Sequence, residues 1–306
     1  MRITMIGDSA VGKTTFMMST YGLMRDGIQG FKVKCTNEKA DANLYNAYQE
    51  FRKYGTYPDA TVKMSSYDYN FYSGRDFVMN FSLTDIRGES IHDIDVSQLH
   101  YEIGRSDAVI LFLSSYDILN GVDIEDSIDQ LYTHLNNAFK VDDHEKIIMV
   151  AFTQSDRIDL NDKTYNRLLD SVSDLKRITD KNNNLAFIAI PTACAPDCMM
   201  DLDFAMACLM LVGYSREVSV EAQRLKAEIE RINDKWGSGL WAGLTDFFGV
   251  NAERNEARKR FQVLQNEEIP KYEKMQKKFE SLKKFYDDYE VGTYYRVKQM
   301  EDPFCF

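Results

Sequence analysis

A mostly apolar pentapeptide, Arg2–Ile6, runs directly into Gly7-Asp8-Ser9-Ala10-Val11-Gly12-Lys13-Thr14, and a helix-forming stretch begins at Lys13. No other feature of the chain limits its possible folds so tightly. The spacing G-x-x-x-x-G-K-[ST] between a strand and a helix makes a loop whose successive N–H groups turn inward, and the positive end of the following helix adds to their field. Gly7 and Gly12 allow backbone angles and close approaches that a Cβ forbids. The loop, Asp8 to Val11 included, is expected to hold phosphate groups. Lys13 would span the terminal two, and the Thr14 hydroxyl would enter the shell of a Mg²⁺ ion.

Such a loop needs a sheet to rise from. Up to about residue 213 short apolar runs alternate with amphipathic stretches of helix length, the pattern of βα units. The expected strands are Arg2–Ile6, Val62–Phe71, Phe77–Thr84, Ala108–Leu113, Lys146–Phe152 and Leu185–Ile190. The second and third read as a hairpin turning at Ser73-Gly74-Arg75, and their polar/apolar alternation suits an antiparallel pair at an edge. Helices are expected over Lys13–Met24, Leu44–Tyr54, Ile124–Phe139, Asp162–Asp180 and Met199–Val212. The fold class is therefore α/β, three-layered, with a mostly parallel sheet and one antiparallel edge strand. Residues 25–56 read as an insertion, with a short strand-like piece at Phe31–Cys35.

The remainder, 214–306, is of a different kind. Val218, Ala222, Leu225, Ile229, Ile232 and Trp236 form one heptad-like seam, and Tyr272, Met275, Phe279, Leu282, Tyr286 and Tyr289 form another. Two helices joined by a glycine-containing tip at Gly237–Val250 are expected to make an antiparallel hairpin, which Pro270 should kink or interrupt. Charge marks the same division. Residues 215–306 carry 17 Lys and Arg against 17 Asp and Glu, whereas the first 214 carry 20 against 31.

That accounts for the net charge of −11 and argues against a broad nucleic-acid surface. Cys35, Cys194, Cys198, Cys208 and Cys305 are odd in number and irregularly spaced, and Met1 leads at once into a strand, so reduced thiols in a cytoplasmic protein are expected. The Cys194/Cys198 pair lacks the clustered histidines of a zinc site. No stretch reaches the roughly 20 apolar residues of a membrane span.

Further motifs stand at strand ends: Asp85-Ile86-Arg87-Gly88, Thr153-Gln154-Ser155-Asp156 and Thr192-Ala193-Cys194. Together with Gly7–Thr15 they resemble the Ras-like and Rab-like small GTPases of the translation-factor-related class. Within P-loop GTPases the insertion and the early threonine-containing switch look similar to the bacterial double-GTPase group. The resemblance covers roughly residues 1–213. It implies that Asp85 holds Mg²⁺ through water and that the Gly88 N–H binds the γ-phosphate. It places the family's [NT]-K-x-D signature at Thr153–Asp156 and its S-A-K at Thr192–Cys194, with the Ala193 N–H meeting guanine O6. A carboxylate at Asp156 can accept from guanine N1–H and N2–H₂, a donor pair adenine lacks. Gln154 departs from the lysine whose stem covers the base. For the Mg²⁺-sensing threonine, Thr61 is favoured over Thr56.

The position that orients the attacking water is also altered. Glu89 stands where many members have glutamine, and its carboxylate repels the γ-phosphate unless a charge such as Arg87 neutralises it. The expectation is a Mg²⁺-dependent GTP-hydrolysing switch, cycling between GTP and GDP, slow until a protein partner or a second copy completes it. Lys13, Thr61, Arg87 and Glu89 are its candidate catalytic residues. A scaffold that holds nucleotide without turnover, and a P-loop ATPase, are the alternatives. In the arm, Leu240–Phe248 has one apolar face. Packing is the first reading of this tip, followed by partner docking; contact with a membrane comes last, because lysine and arginine are nearly absent there.

Overall fold

The computed structural model describes residues 1–28, 30–58, 64–86, 96–139, 146–180, 185–236 and 259–288. By contacts these fall into two compact units, one taking in Met1–Leu209 and the other Met210–Asp287.

The first unit is built on a seven-stranded sheet in the order β2-β3-β4-β1-β5-β6-β7. The strands are β1 (Arg2–Ile6), β2 (Phe31–Cys35), β3 (Ser65–Ser73), β4 (Asp76–Asp85), β5 (Ala108–Ser114), β6 (Lys146–Thr153) and β7 (Leu185–Pro191). β1, β4, β5, β6 and β7 run parallel, while β3 is antiparallel to both β2 and β4. The expected hairpin is present, with Ser73 opposite Asp76 across its turn. The inserted strand β2 covers β3 and takes the sheet edge itself, where its exposed Lys32 and Lys34 discourage further pairing. β5 and β6 are buried at every position, as strands covered on both faces must be.

Helices α1 (Lys13–Asp26), α2 (Glu38–Tyr54), α3 (Val96–Gly104), α4 (Ser115–Leu119), α5 (Glu125–Phe139), α6 (Asp162–Ser171) and α7 (Ser173–Asp180) make the outer layers. On one face α3, α5, α6 and α7 pack over Ile6, Val109, Leu111, Leu113, Ile148, Val150 and Phe152. On the other, Phe16 of α1 meets Phe112 edge-on at 5.1 Å between centroids. Lys146 is fully buried at the start of β6, yet its ammonium is satisfied. It donates to the carbonyls of Gly104 and Ser106 and so neutralises the C-terminal end of α3.

Several expected boundaries move, each for a local reason. The stretch 162–180 is two helices, broken at Val172, whose φ of −112° and ψ of 15° leave the helical range and whose N–H bonds only three residues back, to the Leu169 carbonyl at 3.2 Å. α2 begins at Glu38 instead of Leu44 because Asn37 caps it by accepting from the Ala40 N–H at 3.0 Å. The expected helix Met199–Val212 starts late. Met199–Met200 (β9) pairs with Ala193–Cys194 (β8), and Asp201 takes a left-handed φ of 56° before α8 (Leu202–Trp236) begins. That helix then passes uninterrupted through Gly213, where two separate helices were expected.

Within the second unit, Leu225, Ile229 and Ile232 of α8 pack with Phe261, Leu264 and Tyr272. Arg224 pairs with Glu268 and Arg260 with Glu228, so the two segments run antiparallel. A π-helical turn at Leu264–Glu268 leads into α9 (Ile269–Asp288). Pro270 cannot donate to the carbonyl four residues back and its ring crowds it, which accounts for the widened turn at the place where an interruption was expected. The tip and the last part of the second seam, Tyr289 included, lie outside the described residues.

The insertion is seated on α1 by specific chemistry. Tyr21 donates to Asp41, Arg25 pairs with the same carboxylate at 2.9 Å, and Arg25 lies over the Tyr45 ring at 4.0 Å. The Tyr48 ring rests on Gly22, where an added Cβ would overlap it. Gly22→Ala is therefore expected to destabilise the protein by about 1–3 kcal/mol through overpacking, although alanine is the better helix former. Urea denaturation checks this, and Gly22→Ala with Tyr48→Leu should recover most of the loss.

On the other face His100 of α3 and His134 of α5 bring Nε2 and Nδ1 to 3.0 Å. Burial first, then His134, hold the His100 pKa below its ordinary value. The folded chain then binds fewer protons than the unfolded one just below pH about 6.5. Stability should fall as pH drops through that value, and His100→Gln should flatten the fall in unfolding experiments between pH 7.5 and 5.5.

Candidate functional site

The phosphate loop occupies the turn from β1 into α1. Its glycines do different work. A Cβ on Gly7 would lie 2.7 Å from the Phe112 carbonyl oxygen, so that residue is fixed by close approach to β5. A Cβ on Gly12 would only touch the Thr153 side chain, at 3.9 Å, but the residue has a φ of 96°, so there the backbone angle decides. Ala10 also takes a left-handed φ, 63°, which is uncommon for a residue with a side chain. Ser9 and Ala10 are exposed, while Thr15 is buried behind the loop.

Lys13 is buried, and its ammonium donates to the carbonyls of Gly7 at 2.7 Å and Asp8 at 2.8 Å. Burial lowers its pKa, opposed by the carboxylates of Asp85 and then Asp8. Beside it the Thr14 hydroxyl donates to Asp85 Oδ2 at 3.0 Å, and Asp85, at the end of β4, is wholly buried. The loop residue and the first motif residue, 71 positions apart, thus form one oxygen-donor pair. A hydroxyl and a carboxylate suit a hard divalent cation that retains water and phosphate oxygens. Among the described residues no group of three or more His, Cys, Asp or Glu could form an all-protein metal cage.

The second end of the site is assembled from β6 and β7. Thr153 Oγ1 donates to the Val11 carbonyl at 2.7 Å, tying this motif to the phosphate loop. The Ser155 N–H donates to the Thr192 carbonyl at 3.1 Å, and the Thr192 N–H to the Phe152 carbonyl at 2.7 Å, which joins the second motif to the third. Asp156 is exposed at this edge. Ala193 is buried, and Cys194 lies near enough to Asp156 that the carboxylate, after burial itself, raises its thiol pKa. Raised values at Cys194 and Cys198 make both thiols poor nucleophiles.

Thus the structure brings together Gly7–Thr15, Asp85, Thr153–Asp156 and Thr192–Cys194. Thr61, Arg87, Gly88 and Glu89 lie outside the described residues; Thr56 is described and exposed. Other contributors are invisible from sequence. Ser127 of α5 donates to Asp8 Oδ2 at 2.7 Å across 119 positions, and Ser115 shares a hydrogen bond of 2.8 Å with Ser155. No local motif announces either residue.

A strand–loop–helix phosphate cradle, a threonine paired with a buried aspartate, and a carboxylate at the next strand ends define a nucleotide-binding P-loop protein of the GTPase class. The family model described as Double-GTPase 2 matches residues 1–182, more than half of the chain, and the chain belongs to that family. As a member it binds guanine nucleotide. Among solved structures, the mammalian SRP receptor is 15% identical with a TM-score of 0.42, covering 67% of this chain and 98% of that one. A probable GTP-binding protein engB is 14% identical with a TM-score of 0.37, covering 67% of this chain and 94% of that one. No curated protein matches the chain.

Thr153→Val keeps the side-chain shape but removes the bond to Val11. It is expected to weaken nucleotide binding about five- to ten-fold with little change in melting temperature. Calorimetric titration checks this, and unchanged affinity would show that the contact does not hold the loop in shape.

Proposed function

We propose that this protein is a Mg²⁺-dependent GTPase switch that hydrolyses GTP to GDP and phosphate, slowly unless a protein partner or a second copy assists. The observation that carries the reading is the Thr14–Asp85 pair beside Lys13. A triphosphate cradled by the loop would meet its counter-ion at these three groups.

In this reading Gly7 to Gly12 present backbone N–H groups to the phosphates, and Lys13 adds a fixed positive charge. Thr14 and Asp85 would hold Mg²⁺, with Thr61 as a further ligand. When bound, the ion offsets phosphate charge and polarises the transferred group. Asp156 accepts from the guanine edge, and Ala193 donates to its O6. Thr61, Arg87, Gly88 and Glu89 are proposed to complete the γ-phosphate end. Glu89 accepts from the attacking water only when Arg87 or a partner's charge offsets its repulsion of the phosphate. Residues 1–213 form the nucleotide domain, and 214–306 are its arm for partner binding or self-association. Among the described residues no helix is long and apolar enough to cross a membrane.

Binding and phosphate release with GTP, ATP and their non-hydrolysable analogues test the whole proposal. GTP should bind at least a hundred-fold more tightly than ATP, and Asp156→Asn should shift the preference from guanine towards xanthine, whose C2 carbonyl an amide N–H₂ can meet. Thr14→Ala should weaken GTP binding when Mg²⁺ is present and change little in EDTA. Tight GTP binding with no phosphate release, alone or at high protein concentration, would favour a scaffold. A preference for ATP would end the reading.

A further inference from the structure

The sequence substitutes Gln154 for the lysine of [NT]-K-x-D, and the structure shows what surrounds that substitution. Gln154 has a left-handed backbone, φ 56° and ψ 28°, and caps the short 3₁₀ turn Ser155–Arg157. The Arg157 N–H closes the turn onto the Gln154 carbonyl at 3.1 Å, which holds residues 154 and 157 beside each other. Arg157 Nη1 donates to Gln154 Oε1 at 2.8 Å, and the guanidinium lies over the Tyr116 ring with Cζ 3.9 Å from its centroid. The platform beneath is fixed, because Ser115 and Ser155, the neighbours of Tyr116 and Gln154, are bonded to each other.

We propose that the Tyr116–Arg157–Gln154 stack replaces the missing lysine, with Arg157 as a specificity-determining positioning residue of the guanine site. This rests on the reading of Asp156 as the guanine ligand. A base needs a partner along its edge and a surface against its ring. Asp156 supplies the edge, but it also places a carboxylate in the path of a polyanionic nucleotide. Arg157, the next residue, brings a cation to the same turn and keeps it there by stacking. By engaging Gln154 Oε1 it fixes a side chain that otherwise loses considerable rotamer freedom on ordering. The methylenes of Gln154 then form the wall that a lysine stem would provide. Charge and wall, carried elsewhere by one side chain, are here divided between two.

The division predicts a non-additive pattern. Displacement of a fluorescent GDP analogue by GTP, GDP and ATP would be measured for the full-length protein and its variants in Mg²⁺. Arg157→Ala should lose about ten-fold in affinity for GTP and GDP, the scale of one charged hydrogen bond, with a smaller loss for ATP, which feels only the missing charge, and an unchanged melting temperature. Gln154→Lys should also weaken binding, because its ammonium would sit against Arg157. The double variant should return to within about two-fold of the natural protein, since lysine can then do both jobs. Arg157→Ala within two-fold of the natural affinity, or a double variant showing the summed losses, would overturn the proposal. Asp156→Asn serves as the companion measurement. If it leaves GTP affinity intact, the guanine reading has failed; if it alone lowers affinity while Arg157→Ala does not, only the role of Arg157 has failed.

Discussion

Thr153 donates a hydrogen bond of 2.7 Å to the carbonyl of Val11, and through it the two halves of the proposed nucleotide site become one object. Val11 belongs to the loop between β1 and α1, and Thr153 ends β6, two strands away in the sheet order. A phosphate cradle alone is indifferent to the base, and a carboxylate alone cannot grip a triphosphate. Their separation must match the length of one nucleotide, and a parallel sheet sets that separation because its strand ends share one edge. The Thr153 hydroxyl then removes the slack between the edge and the loop. Gly7 contributes the same kind of constraint from below, because only the lack of a Cβ lets the loop sit against the Phe112 carbonyl.

The inserted β2 and α2 are integrated, not appended. β2 completes the sheet, and α2 is held on α1 by Tyr21, Arg25 and Asp41 and by a ring resting on a glycine. α1 therefore serves two masters. Its first turn carries Lys13 and Thr14, and its later turns carry the insertion.

Much of this was legible from residues in order, because the determinants are local. The loop motif, the alternation of β3, the unbroken apolar runs of β5 and β6, and the motifs at strand ends each depend on near neighbours. Where sequence reading went astray, the cause was a short-range bond or backbone angle that composition does not reveal. Asn37 capped α2 early, Asp201 in a left-handed conformation delayed α8, and the non-helical angles of Val172 divided the helix expected over 162–180. Contacts joining distant segments left no mark at all. Nothing around Ser127 announces Asp8, and nothing in Tyr116 announces Arg157, because those pairings exist only once the sheet has placed their helices and turns.

The Ser127–Asp8 contact has a mechanical consequence. Ser127 lies near the head of α5, and His134, two turns further on, bonds to His100 of α3. At 1.5 Å per residue the two contacts lie roughly 10 Å apart along one helix. An α-helix of that length behaves as a stiff rod. The phosphate loop and α3 are thus fastened to the same beam, one at either bolt, and neither can shift against the other unless the beam bends or a bolt gives way.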